Sequence, residues 1–419
     1  MVERILLCTV GGSYQPIIQA VQQLSPDLTV FVCSEGKSSS VSMINGKGKV
    51  IKEYPGDEKY SLPNIPTQLN LSNESYKIIT VPPDDLDKVF KILLSYLNDI
   101  KNNYHKATLY ADYTGGTKSM TAGLILASLE HEIKLHLIKG ARTNLDKVSE
   151  GTQWAVPASV DWIKFYRTMH NHLTSWKQYA YGQAVKCLIT MDLPSDSVLQ
   201  ENFFKAKILS QAFDAWDRFD HKKAKSLLST YRSEINPQYV PYFLILDVLC
   251  DQEKQVTELT RIYDLWLNAL RRSAQGRYDD AIARVYRIIE WTAQWVLQEQ
   301  CGVSTSDLPE DFIPTGVDIR KNRHGKYQAP LYHSWQLVRH KTTGPLSEFI
   351  KTKGDSLLTF LEVRNQSILA HGKEPITEQK WKEAKSWFET NILPPFQETL
   401  KTAGLKKIPP QLPDTYEWL

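Results

Sequence analysis

Arg364, Asn365 and His371 lie in the stretch RNQSILAHG, which closes an otherwise apolar helical pattern. Histidine gains or loses a proton near neutral pH, and arginine is a fixed cation that suits anions. Placing Ser356 to His371 on a helix at about 100° per residue, with Arg364 at zero, puts Leu357 at about 20°, Ile368 at about 40°, Leu361 at about 60° and Phe360 at about −40°. His371 falls at about −20°, so arginine and histidine share an apolar arc. Gly372 reads as the stop just past the helix. Each residue alone has a plain structural role. An arginine at the margin of such a face can reach water along its stem, and a histidine at a helix C-terminus can face the last carbonyls. A charge inside an apolar arc is otherwise costly. Together, with Asn365 beside them, they are expected to line a polar pocket where the helix meets another element or a second protomer.

A second group of residues suits anions. CTVGGSYQP follows the first strand-like run and ADYTGGTKSM follows another near Leu109. Gly115 and Gly116 allow close backbone approach, Thr114 and Thr117 bring hydroxyls, and Lys118 brings a positive charge near a helix N-terminus, a combination that fits a phosphate or another polyanion. GGTKS is not the P-loop word, because Thr117 precedes the lysine, and GGSYQP is not GxGxxG. The competing reading is a pair of tight strand-to-helix turns with no ligand.

The elements that must hold these residues follow from pattern. RILLCTV, LTVFVCS, YKIITV, ATLYADY and IKLHLIK are short runs rich in β-formers, with helical patterns at Asp84–Leu97 and Thr117–Glu130 between them. That alternation predicts βαβ units around a mostly parallel sheet, with ligands outside the carboxyl ends of the strands. Pro63, Pro66, Pro82 and Pro83 interrupt the middle. From about Asp161 the spacing turns helical. Cys301 to Tyr332 reads as a long irregular insertion, and KKIPPQLPDTYEWL as a proline-punctuated tail.

With 419 residues, the chain is long enough for two or three domains. A net charge of +3 neither demands nor excludes nucleic acid, since a basic patch would be local. Five scattered cysteines form no CxxC pair, which argues against a disulfide framework or thiolate zinc site. His170-x-His172 and His131-x4-His136 lack neighbouring ligands of metal-site type, so no metal is expected. RILLCTV lacks a signal-peptide cleavage pattern and no run is long enough to span a membrane, so a cytoplasmic protein is expected.

TVGGSYQPI, FVCSEGKSS and above all DYTGGTKSM resemble the ligand-sensing, Rossmann-like CARF domain of CRISPR-associated proteins, over roughly residues 1–150. By position, the resemblance assigns cyclic-oligoadenylate binding to Gly11, Gly12, Ser13, Cys33, Ser34, Asp112, Thr114, Gly115, Gly116, Thr117 and Lys118. Arg364-Asn365-(five residues)-His371 resembles the R-x(4–6)-H word of HEPN ribonuclease domains. Their order in the chain is that of the CARF–HEPN effector ribonucleases of type III CRISPR systems. The implied organisation is α/β plus all-α: a CARF-like sensor at 1–155, a helical connector at 156–265 and a HEPN-like ribonuclease at 266–419. The resemblance implies a homodimer with Arg364, Asn365 and His371 of both subunits in one composite catalytic site. It also implies metal-independent cleavage of single-stranded RNA by attack of its 2′-hydroxyl, and activation by cyclic tetra-adenylate slightly in preference to hexa-adenylate. Two alternatives remain open: a sensor that cuts nothing, and a sensor that also degrades its own activator.

Two further patterns have more than one reading. Arg287 and Glu290 are three apart on a strongly apolar helix and suit a structural ion pair. IRKNRHGKYQAPLYHSWQLVRHK interleaves cations with aromatic rings, which suits single-stranded RNA or, equally, a solvated loop followed by a core helix.

Overall fold

The computed structural model describes residues 2–36, 39–46, 50–51, 59–61, 63–131, 133–140, 154–230, 239–251, 255–365, 368 and 373–416. They fall into two compact units, Met1–Lys164 and Phe165–Leu419.

The first unit runs β1 (Arg4–Thr9), α1 (Gln15–Leu24), β2 (Leu28–Ser34), α2 (Ser42–Asn45), β3 (Val50–Ile51), β4 (Lys59–Ser61), α3 (Ile65–Gln68), β5 (Tyr76–Val81), α4 (Leu86–Asn103), β6 (Thr108–Asp112), α5 (Lys118–Leu129), β7 (Lys134–Lys139) and β8 (Trp154–Pro157). Six strands form one sheet in the order β5-β2-β1-β6-β7-β8. The first five are parallel and β8 closes the edge antiparallel to β7. β3 and β4 pair separately. In β1 the alternation divides the core: Ile5 and Leu7 pack with α4 and α5, whereas Leu6 and Cys8 pack with α1 and α2. A strand covered on both faces needs this continuous apolar run. From β1 the chain moves outward through β2 to β5, then returns through α4 to β6 on the other flank of β1. The order therefore reverses between β1 and β6, and a crevice opens beyond their carboxyl ends.

The second unit continues through α6 (Asp161–Leu173), which starts just before its boundary, then α7 (Tyr181–Ile189), α8 (Ser197–Asp217), α9 (His221–Ser229), α10 (Val240–Cys250), α11 (Gln255–Ala274), α12 (Tyr278–Cys301), α13 (Leu331–Lys341), α14 (Pro345–Asn365), α15 (Glu378–Asn391) and α16 (Leu393–Thr402). It holds two cores. One gathers Trp176, Tyr181, Phe213, Trp216 and Leu246 from the connector. The other runs from Leu259 on α11 to Leu405. α11 passes unbroken through residue 265; its buried apolar residues pack in the second core, while its Asp264 accepts from Trp216 of the first. The boundary expected at residue 265 lies inside one helix, and the two compact units divide at residue 164. The apolar helix expected near residues 278–297 is α12, with buried side chains from Ala281 to Leu297. Residues 302–330 form the irregular insertion, held by isolated bridges such as Leu308 to Tyr327. No described helix is long and apolar enough to cross a membrane.

Candidate functional site

The loops after β1 and β6 meet in the crevice. The Thr9 hydroxyl donates to the Gly115 carbonyl at 2.6 Å. A Cβ on Gly115 would stand 2.4 Å from the Thr9 carbonyl oxygen, and one on Gly11 would stand 2.7 Å from the Gly116 nitrogen. Gly116 has φ +85°, which side chains rarely adopt. Only glycine lets the two backbones lie this close. Beneath them Asp112 is fully buried. Its carboxylate accepts from the Thr114 N–H and the Thr114 hydroxyl, each at 3.1 Å. Thr114 Oγ1 in turn accepts from the Ile138 N–H at 2.8 Å, tying the loop to β7. Burial pushes the Asp112 carboxyl up to about 6, and the Thr114 hydrogen bonds only partly oppose it.

Thr117 caps α5, its hydroxyl accepting from the Met120 N–H at 3.2 Å and donating to the Pro83 carbonyl. The N–H groups of Lys118 and Ser119 then have no acceptor within the helix and point out of its first turn. A cavity of about 380 Å³ lies at this end, lined by Val10, Gly11, Gly12, Ser34, Gly116 and Thr117, with Met120 behind them. Ser39, Ser40, Ser42 and Met43 complete the wall. The serines are ordered among themselves: the Ser34 N–H donates to Ser40 Oγ at 2.8 Å, and the Ser40 N–H to Ser34 Oγ at 2.9 Å. Glycine backbone, hydroxyls and a helix N-terminus in one concavity provide donors for an anionic ligand.

Eleven residues were expected to bind a ligand at this end. Gly11, Gly12, Ser34, Gly116 and Thr117 line the cavity. Cys33 is buried in the core beside it, where desolvation raises its thiol to about 12. Asp112, Thr114 and Gly115 build the loop from below. Lys118 is exposed on the first turn of α5, and Ser13 is exposed before α1. The Ser39–Met43 wall was not singled out, although FVCSEGKSS was; a serine-rich stretch reads first as loop.

At the other candidate site, α14 carries Leu357 and Phe360 into the second core, where Phe360 stacks on Trp387 of α15 at 4.7 Å. The helix changes direction at Lys353, whose φ of −130° is not helical. Arg364 and Asn365 form its last backbone positions, four and five residues past Phe360. His371 and Gly372 lie outside the described residues. The expectation of one helix from Ser356 to His371 needs correcting. The helix is described to Asn365, and Ile368, expected in the apolar arc, is 53% exposed in a turn. On α12, Arg287 pairs with Glu290 at 2.6 Å and covers the Trp291 ring at 5.4 Å. In the basic-aromatic segment, Lys321 lies 4.7 Å from the Tyr327 ring and Trp335 is core.

Both candidate regions can be set against known proteins. Residues 251–390 match the family model of the Csm6 HEPN domain. That span begins at α11's approach and takes in α14 and the whole Arg364–His371 word. No curated protein matches the sequence. Among solved structures, the fold resembles that of Enterococcus italicus Csm6 bound to cyclic hexa-2′-fluoro-hexa-dAMP, with a TM-score of 0.52 and 12% identity over 96% of this chain and 95% of that one. A second, Can2 from Sulfobacillus thermosulfidooxidans in complex with cyclic tetra-adenylate, gives a TM-score of 0.25 and 12% identity over 56% of this chain and 69% of that one. The chain is thus similar to the CARF–HEPN effectors of type III CRISPR systems: a Rossmann-like CARF fold first, then helices that include a HEPN-like segment.

Proposed function

We propose that the protein is an endoribonuclease of type III CRISPR defence, switched on when a cyclic oligoadenylate occupies the crevice beyond β1 and β6. The observation carrying this reading is that the HEPN match spans the Arg364–Asn365–His371 word. In the proposed reaction the RNA 2′-hydroxyl attacks the adjacent phosphorus. An O2′–P bond forms, the P–O5′ bond breaks, and a cyclic phosphate and a 5′-hydroxyl result. His371 moves the proton, near neutral pH. Arg364 stabilises charge on the phosphate oxygens. Asn365 completes the set, and two subunits contribute to one composite site, as the resemblance implies. With proton transfer and charge stabilisation both supplied by side chains, the reaction needs no metal. The protein would act in the cytoplasm as a homodimer.

For activation, the ring phosphates would meet the Gly11–Gly12 and Gly116–Thr117 backbone and the start of α5, with Lys118 beside them. To act as a switch, the ring must bind the active arrangement more tightly than the resting one. The resemblance slightly favours four adenylates, while the Enterococcus italicus structure holds cyclic hexa-2′-fluoro-hexa-dAMP; both belong in the assay.

The test is cleavage of labelled single-stranded RNA by the purified protein alone, with cyclic tetra-adenylate or with cyclic hexa-adenylate, with and without EDTA. Cleavage should require one ring, survive EDTA and vanish in His371→Ala, which should still bind the ring. A His371→Ala protein that cuts as fast as wild type would remove the catalytic assignment. Failure to bind either ring would remove the sensor.

A further inference from the structure

A second cavity belongs to neither site. It lies in the second unit where α9, α10, α11 and α12 converge, and measures about 500 Å³, within the range of small-ligand sites. Its walls combine two chemistries. Phe219 and Trp291 supply aromatic surface over an apolar floor that includes Leu249 and Leu265. His221, Lys222 and Arg261 supply nitrogen donors. The acid in the wall, Asp220, is engaged as the cap of α9, accepting from the Lys223 N–H at 3.1 Å.

The polar groups are held in place. Arg261 donates through Nη2 to the Leu249 carbonyl at 2.9 Å, which fixes its guanidinium at the C-terminal end of α10. His221 Nε2 lies 3.0 Å from Asp264 Oδ2, which also accepts from Trp216 Nε1 at 3.1 Å. Trp291 donates to Glu258 at 2.5 Å and has Arg287 over its ring. Phe219 is the unusual member. Its φ is +63°, in the left-handed region that disfavours a bulky side chain. Glycine or asparagine would end α8 more cheaply. Phenylalanine there sets a ring against His221, centroids 6.1 Å apart and nearly perpendicular, at the cavity wall. Strain of this kind collects where a surface is shaped for a ligand.

We propose that this cavity binds a nucleotide, its base against Trp291 and Phe219 and its phosphate toward Arg261 and Lys222. A flat aromatic ring bearing one anionic group uses both halves of the lining, whereas a purely apolar ligand would leave the cations unused. The nucleotide could be free or the 5′-phosphorylated end of an RNA strand. The inference stands apart from the ribonuclease reading and needs neither proposed site.

The test uses the full chain with His371→Ala, so that no strand is cut. AMP and 5′-phosphorylated tri-adenylate are titrated separately and followed by calorimetry. Beside any binding at those two sites, one component per chain is expected that is at least tenfold weaker in Arg261→Met and in Lys222→Ala and persists in Lys118→Ala. Tighter binding of AMP assigns the free nucleotide, and tighter binding of tri-adenylate assigns the strand end. Lys222 is exposed, so its substitution should leave folding intact even if Arg261→Met lowers the unfolding temperature. Full affinity in Lys222→Ala overturns the proposal, as does loss in Lys118→Ala or the absence of binding by both probes at millimolar concentration.

Discussion

Asp112, expected among the ligand-binding residues, orders the loop that carries them. Its folded carboxyl titrates near 6, against 3.8 ordinarily, because burial disfavours its charge. The folded state therefore holds a proton that the unfolded state has released. Its contribution is full below about pH 4 and is lost as pH rises through 6. Two units correspond to roughly 3 kcal/mol. Asp112→Asn should flatten this part of the profile, measured as the urea midpoint from pH 4 to 8; an unchanged slope would refute the assignment. Gly115 depends on close approach rather than charge. Gly115→Ala would drive a methyl into the Thr9 carbonyl of a strand paired on both sides. A loss of about 1–3 kcal/mol is expected, as for an overpacked site, along with weakened ring binding by calorimetry. Retention of both stability and binding would show that the loop shifts freely.

At the scale of elements, α5 links sequence, fold and ligand. Thr117 both caps the helix and faces the cavity. Thr117→Val should lower stability by about 1 kcal/mol through the lost cap and weaken ring binding beyond that; an intact ring affinity would place the ligand elsewhere. The strands holding this site were legible because buried parallel strands are short, continuous apolar runs. β8 was not: its four residues are too few to carry a periodic signal, and its antiparallel pairing depends on β7. Lys118 stood out in the sequence by its charge, yet the structure assigns the cavity wall to Ser39–Met43, whose role depends on β2 ending opposite α5. The end of α14 was misplaced because an angular plot weighs which face a residue occupies. It does not weigh where the backbone leaves the helix, as it has done by Ile368. The connector boundary was set inside α11 for a related reason, since helical periodicity runs across it and only packing divides the cores.

At the scale of the whole molecule, the proposed switch requires the connector to carry a difference between two sites, and such coupling needs contacts with discrete arrangements. The C-terminal tail supplies candidates within the second unit. Gln411 accepts from Arg271 Nη1 at 2.8 Å and donates to the Leu267 carbonyl at 3.0 Å, both on α11. Its own carbonyl accepts from the Tyr242 hydroxyl of α10 at 2.9 Å, and the Pro413 carbonyl accepts from Tyr181 at 2.6 Å. Leu412 is buried in the connector core, and Tyr416 meets Trp176 edge-on at 5.4 Å. Arg271 is fully buried and shares Asp217 with Arg272, so Gln411 completes a charge network centred on a buried arginine. Deleting residues 411–419 would strand two tyrosine hydroxyls, at about 1–3 kcal/mol each, and empty a leucine site, at about 2–5 kcal/mol. That sum is comparable to the whole stability of a domain. The truncated protein should unfold the connector core first, with a red-shifted tryptophan emission as Trp176 meets water. Gln411→Ala is the milder and more informative change. It should keep ring affinity at the first unit while reducing ring-dependent RNA cleavage several-fold. If cleavage stays at the wild-type rate, α10 and α11 are coupled by their direct packing and the tail serves only stability.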